Sequence, residues 1–452
     1  MASEISEIKI AKIVTSVDEE LERTRPRCPP PDATPFRPQA TDFGEAYVLP
    51  EHREKTLAML NPFLNKEKLT FLESPHLYIF DGQVASASVS SQIKPYVEEF
   101  DADAIIGKMV CSRREAWPRL KYAVGAAACD VKKESLSSDE LILVVKEGLT
   151  TFAGRVGDSP PEVEGEELYF FERAMSREEI KASWDSPHAR NMGTEAHLSI
   201  ENFFNGEAVY ETAELKKALL FAKNVMVPNG VEAYGTEVEI YGRDEDLAGS
   251  IDFIGRIKGT DEFVIFDWKR SIKLHENIRS KFNKKMAPPL NHLHDCDVCK
   301  YTFQLSIYSW MLQKYYNMKI SKLCLINVHP DSDFFTFVPY LKPEVEYLMS
   351  RRREIVALRA AVLHFFPDAP ICSISGTLAY DACRLTSDCS IASKRYALSK
   401  GLAFAPDPEN ARIAENRMRQ LSCSYADKFL LLMKEDQIPW TELMPLGGIQ
   451  KW

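Results

Sequence analysis

The sequence predicts a mixed α/β fold, a β-sheet core layered by helices, on three observations. Three strand-like runs rich in β-branched and aromatic residues follow one another: Ala233 to Tyr241, Leu247 to Lys258 and Glu262 to Trp268. A helix with a strong apolar face, about Tyr301 to Tyr315, separates them from two further strands, Lys322 to Val328 and Phe334 to Val338. The composition, 45% hydrophobic and 10% aromatic over 452 residues, is enough to bury a sizeable core. Strands interleaved with helices then read as layers of one upon the other.

Residues 1–45 read as a disordered tail, because Arg25 to Pro38 (RPRCPPPDATPFRP) is Pro-rich with almost nothing to pack. Residues 46–190 read as an N-terminal accessory region. Within it, Leu69 to Ile93 predicts two strands turned at Asp81-Gly82, a hairpin signal. Residues 97 to 150 look helical with loops, as does Ser176 to Ala189, and Ser159 to Glu167 is a polar break. Residues 191–340 form the core. Helices are expected at about Thr194 to Phe204 and Glu211 to Val225, ahead of the three strands, the last two turned at Gly259-Thr260-Asp261. Residues 269 to 295 read as a basic loop. Residues 341–452 read as a helical C-terminal extension, with Pro343 and Pro408 each in a first helical turn.

Charge and cysteine usage narrow the classes. Lys plus Arg is 56 against 66 Asp plus Glu, a net charge of −10, which argues against coating nucleic acid by bulk charge but allows a local basic cleft. Ten cysteines scattered from Cys28 to Cys423 suggest thiols in a reducing compartment rather than a disulfide framework. No apolar run approaches the roughly 18 residues that cross a bilayer, and the start carries Glu4 and Glu7 where a signal or transit peptide would be basic. The expectation is a soluble intracellular protein, cytoplasmic or nuclear, with no membrane partner.

The chemistry concentrates in AGSIDFIGRIKGTDEFVIFDWKRS, Ala248 to Ser271. If this hairpin turns near Thr260, Asp252 lies opposite the region of Asp267 to Lys269. Asp267 and Lys269 share a face of their strand, and Trp268 points the other way. Two carboxylates and a lysine thus meet at one end of an otherwise apolar hairpin. Unpaired, those carboxylates are costly to bring together, and a divalent cation is the usual remedy; carboxylate oxygens suit Mg²⁺ or Mn²⁺. The same residues also read as a salt-bridged hairpin end, Lys269 with either aspartate. Three flanking elements add to them: GTEAH, with His197 on a helix; TEVE, with Glu237 and Glu239 on the preceding strand; and QLSIY, with Gln304 and Tyr308 one helical turn apart.

In this order, GTxxH, a strand Glu, Asp, DxK and QxxxY resemble the PD-(D/E)XK nuclease superfamily, nearest to its RecB-like branch with relatives among the λ-type exonucleases and the CRISPR adaptation nucleases. The resemblance covers roughly Leu69 to Pro339. It extends to HLYIFDGQVASASVSSQI, similar to an N-terminal hairpin of viral and eukaryotic members, with Ser90 where Thr is usual. It implies a restriction-endonuclease-like mixed sheet flanked by helices. It further implies His197, Asp252 and Asp267 as metal ligands with the Trp268 carbonyl as a fourth, and Lys269 orienting the attacking water or stabilising phosphate charge. Glu237 would hold a metal-bound water or a second metal, and Gln304 and Tyr308 would fix the DNA strand. Phosphodiester hydrolysis needs an activated water, in-line geometry and neutralised charge, which divalent ions supply.

After Lys269, the basic run Arg270, Lys273, Arg279, Lys281, Lys284 and Lys285 suits backbone contacts to DNA without sequence readout, or a solvated loop. Arg351 to Arg353 read as a helix face. His292, His294, Cys296 and Cys299 are potential zinc ligands, but their spacing is too crowded for a usual zinc module, so zinc is not expected. Cys383 and Cys389 lack a preceding C-x2-C, so no iron–sulfur cluster is expected either. The resemblance therefore implies a metal-dependent deoxyribonuclease, and an exonuclease because the QxxxY element, in relatives, accompanies enzymes working from DNA ends. A structure-specific DNA or RNA endonuclease and an inactive nucleic-acid-binding module are the alternatives, and oligomeric state is left open.

Overall fold

A computed structural model describes residues 69–112 except 74 and 99, residues 187–424 except 208, 281 and 282, and the stretches 10–12, 57–60, 122–124, 127–129, 152–155, 168–171 and 173–184. The chain divides into two units, Met1–Ala33 with Glu99–Glu195, and Thr34–Glu98 with Ala196–Trp452. The Pro-rich run from Arg25 to Pro38 and the break from Ser159 to Glu167 lie outside the described residues.

In the first unit, helices Ala102–Ser112 and Arg177–Trp184 meet through Ile106 and Ile180, both buried. The Trp184 indole donates to the Tyr122 hydroxyl at 3.0 Å. Strands Ile10–Lys12, Ala127–Cys129, Leu168–Phe171 and Phe152–Arg155 pair as an antiparallel sheet in that order. The strand Ile10–Lys12 falls within residues 1–45, expected as a tail, and the strands Ala123–Val124 and Ala127–Cys129 fall within 97 to 150, expected as helix with loops. Strands of two to four residues are too short to display alternation.

The second unit begins with a three-stranded meander, β1 (Leu69–Leu72), β2 (Leu77–Phe80) and β3 (Gln83–Val84). Asp81 and Gly82 both have positive φ, 50° and 79°, the conformation of a two-residue type I′ turn. Strand β4 (Ala87–Ser88) follows. This hairpin, expected in an accessory region of 46–190, belongs to the unit that holds the main sheet.

The main elements come next. Helices α1 (Pro187–Phe204) and α2 (Ala213–Phe221) precede β5 (Val231–Gly242), β6 (Leu247–Ile257) and β7 (Glu262–Lys269). Then come α3 (Asp297–Tyr315), β8 (Lys319–Asn327), β9 (Phe335–Val338) and α4 (Lys342–Phe365). The sheet order is β5-β6-β7-β8-β9, with β4 added parallel to β6. All other neighbours are antiparallel except β7 and β8, which are parallel. A parallel pair needs a crossover, and α3 provides it. The tight β6–β7 turn uses Gly259 at φ 77°.

Each face of the sheet buries its own core. Ile254, Ile265, Leu323 and Leu325 pack against Leu305, Met311 and Leu312 of α3 and Val345 and Met349 of α4. On the other face Phe253, Phe266, Trp268 and Ile326 meet Ile200, Phe203 and Phe204 of α1 and Leu215 and Phe221 of α2. Phe253 and Phe266 stack with centroids 5.6 Å apart. Thr212 caps α2, its hydroxyl accepting from the Leu215 amide at 3.1 Å.

The C-terminal region, expected to be a helical extension, also contains strands. Strands β10 (Ala382–Leu385), β11 (Ile391–Ser393) and β12 (Phe404–Pro406) form a small antiparallel sheet in the order β11-β10-β12. Helices α5 (Lys394–Ser399) and α6 (Pro408–Ser424) accompany it. At three or four residues each, these strands give no periodic signal.

A buried charged network ties this region to the sheet. Asp246, in the β5–β6 turn, accepts from the Ser86 amide at 3.0 Å and the Tyr241 hydroxyl at 2.7 Å. Arg352 of α4 donates to the Glu245 carbonyl at 2.8 Å and to the Ser86 hydroxyl. Glu245, fully buried, takes Arg353 at 2.9 Å and Lys314 at 3.2 Å. Arg395 donates to the Ala85 carbonyl at 3.4 Å, and its guanidinium and that of Arg359 lie 4.2 and 3.6 Å from the Tyr380 ring centre. Of Arg351 to Arg353, expected as a helix face, Arg352 and Arg353 are therefore drawn inward, while Arg351 pairs with Glu354 on its own helix. Among the described residues no helix is long and apolar enough to cross a membrane.

Candidate metal centre

Three side chains converge where α1, β5 and β6 meet. The ligand atoms of His197, Glu237 and Asp252 lie within 4.8 Å of one another, and among the described residues this is the group of potential ligands that does so. Helix α1 buries Ala196, Ile200, Phe203 and Phe204 in the core. That fixes its rotation and sends His197, one position on from Ala196, toward the strand ends.

Glu237 arrives by an unusual backbone. The β5–β6 register pairs Thr236 with Phe253 and Val238 with Ile251, placing Glu237 across from Asp252. Its φ is +45°, the left-handed region that a glutamate in mid-strand adopts only under constraint. The Ser250 hydroxyl donates to its second carboxylate oxygen at 3.1 Å.

Asp252 sits where two strands part. The β6–β7 ladder runs from Arg256–Phe263 to Phe253–Phe266 and stops. One step on, the Asp252 carboxylate accepts the Trp268 amide at 2.8 Å. The gap leaves room for side chains between the strands, and Asp267 and Lys269 occupy the same end.

The His197 ring bridges the group. Nδ1 faces Glu237 at 3.3 Å and Asp252 at 3.6 Å, and Nε2 lies 2.9 Å from the Trp268 carbonyl. Burial lowers the affinity of this ring for a proton, but the Asp252 charge and the Glu237 hydrogen bond more than offset it, raising its pKa to about 9. The ring thus donates from both nitrogens. The Trp268 carbonyl, expected as a ligand, serves here as the acceptor that orients the imidazole.

Asp267 stands apart from the convergent group. It is 2% exposed and pairs with Lys269 Nζ at 2.7 Å. Burial pushes its carboxyl up, opposed by the Lys269 charge and assisted by Asp252, to about 6. Burial also raises Asp252, against the pull of His197 and Lys269. Burial disfavours the Lys269 ammonium, yet Asp267 and Asp252 together hold its pKa above the ordinary lysine value. The Tyr301 ring lies 4.8 Å from that ammonium. Of the expected ligands His197 and Asp252 converge with Glu237, while Asp267 lies next to them against Lys269.

The remaining predicted residues divide. Gln304 donates to the Tyr308 hydroxyl at 3.0 Å, as their one-turn spacing allows. Tyr308 is buried in the sheet–α3 core, however, so close to Gly249 that a Cβ there would be 2.7 Å from its ring. Its ring is packed rather than free to stack on a base. Arg270 is likewise turned inward, with Nε 3.0 Å from Glu214, both side chains under a tenth exposed. Lys273 is exposed beyond the end of β7. Within the basic stretch Lys284 pairs with Glu98 at 2.6 Å. His292 turns to Glu344 at 2.8 Å and His294 to Lys285 at 3.1 Å.

Three contributors escaped sequence reasoning. Ser250 stands two residues before Asp252, on the same side of the strand. Tyr301 lies one turn before Gln304, a spacing that places it on the same helix face. Tyr78, in β2, is buried near the acids; burial first, then Glu239 and Glu237, raise its pKa. No local signal in the sequence brings Tyr78 there.

The donor set suits a hard or borderline divalent cation, two carboxylates with one imidazole. Its fit shows in the protonation: without a cation, a proton on His197 and an Asp252 carboxyl pKa raised by burial relieve the crowded charge. No family model matches the chain, and no curated protein matches it.

Proposed function

We propose that this protein is a divalent-metal-dependent DNA nuclease with a restriction-endonuclease-like PD-(D/E)XK core, acting as an exonuclease at DNA ends. One observation carries the reading: His197, Glu237 and Asp252 converge at the point where β6 and β7 separate, beside the buried Asp267–Lys269 pair.

His197, Glu237 and Asp252 would hold Mg²⁺ or Mn²⁺, which when bound supplies Lewis acidity toward a phosphoryl oxygen and lowers the pKa of water. The chain's own contribution is placement and charge. Asp267 holds the Lys269 ammonium, and Tyr301 flanks it, so the cation is fixed before substrate arrives. That ammonium would meet charge developing on the phosphate in the transition state. The Trp268 carbonyl holds the imidazole by Nε2, leaving Nδ1 toward the carboxylates. Exposed Lys273 would contact backbone phosphate without reading sequence.

The test is incubation of purified protein with linear, nicked and covalently closed DNA and with RNA, in Mg²⁺, Mn²⁺ or EDTA, alongside Asp252→Asn. Loss of linear DNA only with metal, absent in the variant, is the expected result. Cutting of closed circles would move the reading to an endonuclease, and no cleavage of any substrate would overturn it.

A further inference from the structure

Beside Lys269 the second unit has a cleft of about 240 Å³ between the turns Val89–Ser91 and Lys94–Tyr96 on one side and α3 on the other. We infer that this cleft receives the single unstacked base at the end of a DNA strand whose backbone runs to the metal centre; this rests on the nuclease reading above.

Size and lining favour one flat ring system. The volume lies below the roughly 300–1,000 Å³ typical of pockets for drug-sized ligands. Ile93, Val97, Phe303 and Ile307 give it apolar walls. Such walls accept the face of any base, because every base has one, and the binding is sequence-tolerant. The polar groups are few. Gln304 commits its amide N–H to Tyr308 and keeps its carbonyl oxygen as an acceptor.

Charge and continuity name the occupant. Lys94 is exposed at the cleft, and Lys300 lines it while paired with Asp295 at 3.2 Å and Asp297 at 3.7 Å. Tyr301 lines the cleft and also flanks the Lys269 ammonium, so cleft and candidate centre share a wall. An apolar slot with the exposed Lys94 at its edge, opening beside a phosphate-directed lysine, complements a base attached to a charged backbone. A terminal base is the one that reaches it at least cost, since extruding a base from within a duplex costs a few kcal/mol.

The experiment measures binding of the full-length protein in EDTA, where no cleavage intrudes, to a linear duplex with an intact end, a terminal abasic nucleotide or an abasic nucleotide well inside. Loss of the terminal base should weaken binding about tenfold, and the internal lesion should have little effect. In Ile93→Trp, which fills the cleft, the two ends should bind alike; Lys94→Ala, at an exposed position, should weaken both. Equal affinity for intact and abasic ends in the wild type would overturn the inference. So would binding of a free deoxynucleoside monophosphate as tight as that of a DNA end. Base-dependent end binding without metal-dependent cleavage would keep the cleft and sink the nuclease reading. Cleavage of linear DNA indifferent to the terminal base would do the reverse.

Discussion

The Asp252 carboxylate accepts the Trp268 amide at 2.8 Å, in the position where the next rung of the β6–β7 ladder would be. A side chain thereby finishes a backbone pairing, and the strands part without leaving that N–H unsatisfied. Asp252→Asn keeps an oxygen for the amide but removes a charge that burial disfavours. In EDTA the variant should melt higher than wild type by a few degrees, and cleavage should be lost. A lower melting temperature by calorimetry would show that the charge itself holds the strands.

Lys269 and Asp267 form a buried pair, and removing one partner leaves the other uncompensated. Lys269→Met should cost about 3 kcal/mol at pH 7. The cost should shrink toward pH 5, where Asp267 takes up a proton. Asp267→Asn combined with Lys269→Met should recover most of the loss. Urea denaturation of the four proteins, in EDTA, gives the coupling.

The pH dependence of the metal-free protein follows from His197. Its pKa rises from the ordinary 6.5 to about 9 on folding. The protonated ring therefore contributes stability that is fully present below about pH 6.5 and lost as pH climbs through about 9, at most about 3 kcal/mol. Asp267, raised to about 6, works in the same direction at lower pH. Metal binding must displace the His197 proton, so Mn²⁺ affinity should increase across the same window, with proton release seen by calorimetry in buffers of different ionisation heat.

Gly249 is a close-approach position. A methyl there would be 2.7 Å from the Tyr308 ring and 2.9 Å from Val89. Gly249→Ala should cost about 1–3 kcal/mol by overpacking, and adding Val89→Ala should return part of it. Full stability of the single variant in denaturant would mean that β4 and α3 yield readily.

Gln304 and Tyr308 should separate in function. Tyr308→Phe removes one hydrogen bond, a loss of about 1 kcal/mol in stability, and should leave DNA affinity unchanged. Gln304→Ala, in the cleft, should slow degradation of linear DNA while metal binding persists. Equal effects on degradation would show that the pair acts on DNA as a unit.

The sequence made the hairpin of Asp252, Asp267 and Lys269 legible because strand alternation and a short Gly259 turn fix which residues can meet. It did not report that Asp267 pairs with Lys269 while Glu237 swings in on a left-handed backbone beside His197 and Asp252, because a turn fixes neither. Tyr308 escaped for another reason. Helix α3 is buried from Thr302 to Ser309 except at Gln304, with Ser306 and Ser309 enclosed as well, so polar residues along it do not mark a surface. Arg270 was lost to Glu214, a partner far away in the chain whose approach no local pattern announces.

The network around Glu245 and Asp246 bears on how separable the metal centre is from the rest of its unit. A chain cut after Tyr340 would retain each candidate ligand, together with Lys269 and the cleft. It would also strip Arg352 and Arg353 from two acids at the β5–β6 turn, and Arg395 from the segment that leads into β4 and the cleft wall. Transplanting the strand-and-ligand block alone into another scaffold should therefore yield a misassembled N-terminal edge, and a working graft would have to bring α4 and the small sheet with it.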